Sequence, residues 1–140
     1  MIKSILTVLT MLILTVGCAE QVSENVSAEA VTQNVRTVSV SEAVTMIAEN
    51  KSLVILDVRS PEEFAEGHIK GALNINYHDD DFETRIAALD KSTPYLLHCH
   101  SGGRSGKTEK MLKSLGFTDV AHLKSGIAGW RKEGQPQVTE

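Results

Sequence analysis

The 140 residues carry 41% hydrophobic side chains and a formal charge of −4, enough apolar material for the core of one domain and too little for two. Only 4% of the residues are aromatic, so aliphatic side chains fill that core. Lys and Arg form no basic stripe, which sets nucleic acid aside as a partner.

The chain opens on MIKSILTVLTMLILTVGCAE. Lys3 followed by an uncharged, mostly apolar run from Ile5 to Val16 has the plan of an export signal, shorter than the ~20 residues of a membrane span. The run ends in LTVGC, which resembles the bacterial lipobox; the resemblance implies cleavage after Gly17 and a lipid on Cys18. Residues 1–17 are then a signal peptide of the lipoprotein type, and the loss of Lys3 takes the charge from −4 to −5. Ala19 rather than Asp follows Cys18, which implies the periplasmic side of a bacterial envelope, with the lipid in the outer membrane. A lipidated Cys18 leaves Cys99 as the one thiol of the mature chain, a liability in an oxidising compartment unless it is buried or used. Residues 18–36 are polar, lack Gly and Pro, and read as a tether.

The domain is expected over 37–135. Thr37–Val40 reads as a strand and Ser41 as the N-cap of a helix with Val44, Ile47 and Ala48 on one face. Leu53–Val58 is a continuous apolar run of strand length, as in a parallel sheet covered on both faces. Ser60, Pro61 and Glu63 then form a capping box with Pro at the first helical position. Ala72–Asn76 is a weaker strand. Asp79–Asp81 reads as a capping run for a helix that turns Phe82, Ile86 and Leu89 inward. Pro94 opens the strand PYLLHC, Pro94–Cys99, Ser105–Leu115 is a helix with Met111, Leu112 and Leu115 inward, and Gly116 stops it. Val120–Leu123 is the last strand, GIAGWRKEG a short helix with Trp130 in the core, and 136–140 a frayed tail. Strand and helix in alternation predict an α/β fold, a mostly parallel central sheet with helices on both faces, and a site at the carboxyl ends of its strands.

Cys99 follows such an end, in LLHCHSGGRSGKTEKML. Three features of this loop lower a thiol's pKa: a helix N-terminus from about Ser105, Gly102 and Gly103 letting backbone N–H groups curl inward, and the charge of Arg104. Together they make an anion pocket with a sulfur at its floor. A buried, inert Cys is the bland alternative, and the surrounding residues argue against it. Cysteine phosphatases place five residues between Cys and Arg; here His100–Gly103 are four, a cradle too tight for a phosphoryl group and suited to one extra sulfur atom. A metal site from His98, Cys99 and His100 is disfavoured because strand alternation and a tight turn separate the three side chains, and no cofactor is expected.

The chain resembles a single-domain rhodanese from about Val38 to Gly134. The motifs that carry the resemblance are ILDVRSPEEFAEGHIKGALNI, the loop CHSGGRS, and LKSGIAGWRKEG, in which Ser125 stands where a second Gly is commoner. It implies sulfur transfer in two steps: Cys99 takes the sulfane sulfur of a small anionic donor such as thiosulfate or a polysulfide, and a thiol or cyanide removes it. Backbone N–H groups of His100, Ser101, Gly102, Gly103, Arg104 and Ser105 would stabilise the persulfide, with Arg104 holding the donor and the Ser101 and Ser105 hydroxyls assisting. Asp57 and His68 read as structural support; Arg59 either pairs with Asp57 or faces the pocket. His100 flanks the nucleophile without an assigned role. The rival readings are a non-catalytic binding or persulfide-carrier module and, disfavoured by the loop count, a phosphatase or arsenate reductase.

Overall fold

The computed structural model of the protein describes residues 32–139. The expected signal peptide, Cys18 and residues 18–31 of the expected tether lie outside the described residues. Among the described residues five strands alternate with five helices: β1 (Asn34–Val38), α1 (Val40–Glu49), β2 (Val54–Asp57), α2 (Pro61–Ala65), β3 (Leu73–Asn74), α3 (Phe82–Ala87), β4 (Tyr95–His98), α4 (Gly103–Ser114), β5 (Asp119–Leu123) and α5 (Gly126–Lys132). The sheet order is β1-β5-β4-β2-β3 and every pair is parallel, the α/β architecture that the alternation predicts.

Strand periodicity divides the core into two layers. Leu56, Tyr95, Leu97 and Val120 point to one face, against Phe82 and Ile86 of α3 and Leu112 of α4. Ile55, Leu96, Ala121 and Leu123 point to the other, against Val40 and Ala43 of α1 and Ile127 and Trp130 of α5. Central β4 is buried along its whole length, which explains its unbroken apolar run. Each fully buried Leu here contributes ~1.5–3 kcal/mol. With helices on both faces and neighbours on both sides, β4 passes at its carboxyl end directly into the loop that carries Cys99.

Several boundaries differ from expectation for local reasons. Ser39, not Ser41, caps α1, because Glu42 lies three residues beyond it and completes a reciprocal capping box. β1 starts at Asn34, inside the expected tether, because Asn34 and Arg36 both reach the Asp119 carboxylate on β5. The expected capping run makes no side-chain cap: Asp81 has φ −94° and ψ 7°, outside the extended region an N-cap needs, and Asp79 instead accepts from Asn76 at 2.6 Å. The tail expected to fray is held through Val138. It exchanges two backbone hydrogen bonds of 2.9 Å with His68, and the Trp130 indole N–H donates to the Pro136 carbonyl at 2.9 Å. Gly116 does terminate α4, with Phe117 N–H closing back on the Leu112 carbonyl at 3.1 Å. α4 itself begins two residues early, at Gly103.

Candidate active site

Because α4 starts so early, the turn from β4 into it is short. Gly102 makes the reversal at φ +94°, where a Cβ would overlap the Lys124 carbonyl oxygen. Gly103 has no such requirement: it is the first helical residue, and a Cβ there would meet open space. Only the first glycine of the pair is therefore needed for the curl.

The reversal brings the Gly102 N–H to 3.2 Å from Cys99 Sγ and the Ser105 hydroxyl to 3.3 Å. The loop carbonyls are drawn the other way. Ile127 N–H donates to the Cys99 carbonyl at 2.9 Å and Ala128 N–H to the His100 carbonyl at 3.0 Å, so the first turn of α5 holds these oxygens away from the sulfur. That approach demands Gly126, at φ +60°, since a Cβ would overlap both carbonyl oxygens. The closing motif of the sequence thus builds the back wall of the loop.

Cys99 is 1% exposed. Burial pushes its thiol up, but the Ser105 hydroxyl and the N–H groups of Ser105, Gly102 and Ser101 outweigh it, and the net direction is below the ordinary value. His100 and Ser101 lie exposed on the rim.

Arg104 is placed differently from the expectation. Its guanidinium is committed to Glu63 of α2 by two bonds of 2.6 and 2.7 Å, a forked pair. That contact holds the Glu63 carboxyl down at about 2, against burial and with help from the Ser60 N–H. Arg104 thus places its charge in the first turn of α4 without a hydrogen bond to Cys99.

Asp57, Arg59 and His68 form the supporting frame. Arg59, 1% exposed, pairs with Asp57 and leaves the pocket: Nε and one terminal nitrogen bond the carboxylate at 2.6–3.0 Å. The other N–H groups reach the carbonyls of Glu63 and Gly67 at 2.8 and 3.0 Å. Asp57 also accepts the Arg59 backbone N–H at 3.0 Å, as a carboxylate at a strand end should. His68 stacks on Phe64 with ring centroids 3.7 Å apart and bonds its carbonyl through Nδ1. His98 is wholly buried and burial lowers its pKa; its Nε2 lies 3.7 Å from Asp57 with no hydrogen-bond partner among the described residues. With His98 turned inward and His100 outward, the His-Cys-His run does not converge.

One feature escaped the sequence reading. Ser105 Oγ lies 2.8 Å from His122 Nε2, and His122 Nδ1 lies 2.8 Å from the Glu109 carboxylate, so a polar chain runs from the sulfur through α4 to β5 and back. His122 shares a face with Val120, the alternation of its strand, but no local motif marks it.

The comparisons with known proteins agree with this geometry. The profile of the rhodanese-like domain matches residues 39–133, about two thirds of the chain. Thiosulfate sulfurtransferase 16, chloroplastic, of Arabidopsis thaliana is 37% identical over 91 residues, 58% of this chain and 76% of that protein. Thiosulfate sulfurtransferase GlpE of Stutzerimonas stutzeri is 37% identical over 83 residues, covering 59% of this chain and 73% of its own length. The crystal structure of a rhodanese-related protein from Thermoplasma volcanium superposes with a TM-score of 0.67 at 28% identity, over 75% of this chain and 99% of that one. The chain belongs to the rhodanese-like domain family, and its homologues include sulfurtransferases.

Proposed function

We propose that the protein is a sulfurtransferase that moves a sulfane sulfur from a small anionic donor such as thiosulfate or a polysulfide to a thiol or cyanide, through a persulfide on Cys99. The observation that carries this reading is the polarity of the loop: N–H and O–H donors converge on Cys99 Sγ while α5 holds the nearby carbonyls away. Such a cradle stabilises a thiolate and, one atom further out, the terminal sulfur of a persulfide. The Cys99 thiolate attacks the outer sulfur of thiosulfate, a sulfur–sulfur bond forms, and sulfite leaves with the electron pair of the broken bond. Cyanide then attacks the outer sulfur and Cys99 leaves as the thiolate, releasing thiocyanate. The names of the Arabidopsis and Stutzerimonas relatives support thiosulfate as a donor.

The test is thiocyanate production from thiosulfate and cyanide, with Cys99→Ser beside the wild type. Activity in the first and none in the second is expected. No thiocyanate, and no gain of one sulfur on Cys99 by mass spectrometry after polysulfide treatment, would replace this reading with that of a binding module.

We also propose that the chain acts on the periplasmic side of a bacterial envelope, anchored through a lipid on Cys18. The support is the LTVGC motif after an apolar run. Fatty-acid labelling of the full chain, lost in Cys18→Ala, is the expected outcome; labelling that survives the substitution would overturn it.

A further inference from the structure

The nucleophilic role proposed for Cys99 leaves one step unassigned: a sulfur this buried must pass its proton to something. Toward α4 and β5 three polar groups stand in line with it. Cys99 Sγ lies 3.3 Å from Ser105 Oγ, Ser105 Oγ 2.8 Å from His122 Nε2, and His122 Nδ1 2.8 Å from Glu109 Oε2. Ser105 and His122 are buried, at 0% and 3% exposure, whereas a quarter of the Glu109 side chain reaches solvent. The line therefore runs from a buried sulfur to the protein surface.

Hydrogen-bond accounting leaves this line two states. A carboxylate only accepts, so His122 Nδ1 carries a proton and donates it to Glu109. With a neutral ring, Nε2 accepts from the Ser105 hydroxyl, and the Ser105 oxygen accepts from the Cys99 thiol. With a charged ring, Nε2–H donates to Ser105 Oγ, and the hydroxyl turns its proton to the Cys99 thiolate. Every group is satisfied in both states. They differ by two short proton moves: the S–H bond breaks as Oγ gains a proton, and the original O–H bond breaks as Nε2–H forms. The sulfur keeps the electron pair, the net charge is unchanged, and the imidazolium ends between the thiolate end of the line and the Glu109 carboxylate.

We propose that Ser105, His122 and Glu109 form a proton relay that takes the thiol proton of Cys99. Ser105 touches the reacting sulfur; His122 and Glu109 are positioning residues that act through it. The charged and titratable groups around His122 are compatible with this. α4 presents Ser105 and Glu109, the end of β4 presents His98 and the loop after it Cys99, and β1 presents the uncharged Thr37 beside it in register. His98 is the nearby group that would oppose a second positive charge, and burial disfavours its charged form. Behind His98, Arg59 is matched by Asp57, and Arg104, in the first turn of α4, is matched by Glu63.

The proposal rests on Cys99 as nucleophile, and its test uses no sulfur donor, so the two readings fail separately. In the purified full chain, the rate of iodoacetamide modification of the Cys99 peptide is followed against pH by mass spectrometry. His122→Phe and Ser105→Ala are expected to move the midpoint up by about one pH unit, and Glu109→Gln by about half as much. A midpoint that stays in place in a folded His122→Phe protein would overturn the relay. A second measurement needs no substitution of His122. Its ring nitrogen resonances should step at the pH where Cys99 becomes reactive, and that step should vanish in Cys99→Ser, because coupled sites report each other's protonation. A ring that ignores Cys99 overturns the proposal whatever His122→Phe does.

Discussion

Two arginines of this protein each grip a carboxylate with two nitrogens, and they do opposite work. Arg59 is sealed in, 1% exposed, and its guanidinium is used within the segment from β2 to Gly67, just past α2. Arg104 sits on the rim, its side chain 21% exposed, and among the described residues Glu63 is the one hydrogen-bonding partner of its guanidinium. The same chemical pair is a structural rivet in one place and an adjustable charge in the other, and burial is what separates them. Glu63 connects the two, since its carbonyl accepts from Arg59 and its carboxylate from Arg104.

The sharpest way to break the comparison is Arg59→Met. It leaves Asp57 buried without its partner and is expected to cost about 3–5 kcal/mol of stability in urea unfolding. Adding Asp57→Leu removes the orphaned charge but not the lost bonds to the Glu63 and Gly67 carbonyls, so the double variant should recover only part of the loss. Arg104→Met is expected to move stability by only about 0.2–1 kcal/mol while raising the KM for an anionic sulfur donor severalfold, as fits the loss of a positive charge beside the loop. Equal losses of stability in the two variants would erase the distinction.

Acid should expose the rim pair next. The Glu63 carboxyl is lowered from 4.5 to about 2, so its contribution is complete above pH 4.5 and disappears as the pH falls toward about 2. Wild type should therefore lose about 1 kcal/mol more than Glu63→Gln across that window, after allowance for solvent screening, and parallel curves would count against the pair. The smallest effect is that of salt. Between low and about 1 M ionic strength the difference between wild type and Arg104→Met should shrink by a few tenths of a kcal/mol, while that of Arg59→Met should not move.

How much of this was legible depended on how local each cause is. The Ser60–Pro61–Glu63 capping box and the Gly116 stop rest on contacts within a few residues, and β4, though its contacts are distant, declares itself by an unbroken apolar run. The α1 cap was misplaced by two residues although Ser39 and Glu42 carry the box spacing in plain view; Ser41 competed because apolar spacing alone does not fix a helix start. The partner of Arg104 lies 41 residues away and that of Ser105 17, distances closed only by the parallel crossovers. Trp130 was legible as core, but its N–H needs an acceptor once buried, and meeting that need through Pro136 is what holds the tail. Gly126 was seen as part of a motif, yet its steric reason appears only when the Cys99 and His100 carbonyls are in place.

Parallel pairing also gives the molecule a direction. β1 enters the sheet at Asn34 beside Asp119, the first residue of β5, whereas Cys99 follows the last residue of β4. Whatever precedes β1 therefore leaves from the end of the sheet opposite the loop, a strand's length of roughly 15 Å away. Fixed to any surface by that end, the domain would turn the Cys99 loop outward, toward whatever diffuses past and away from what holds it.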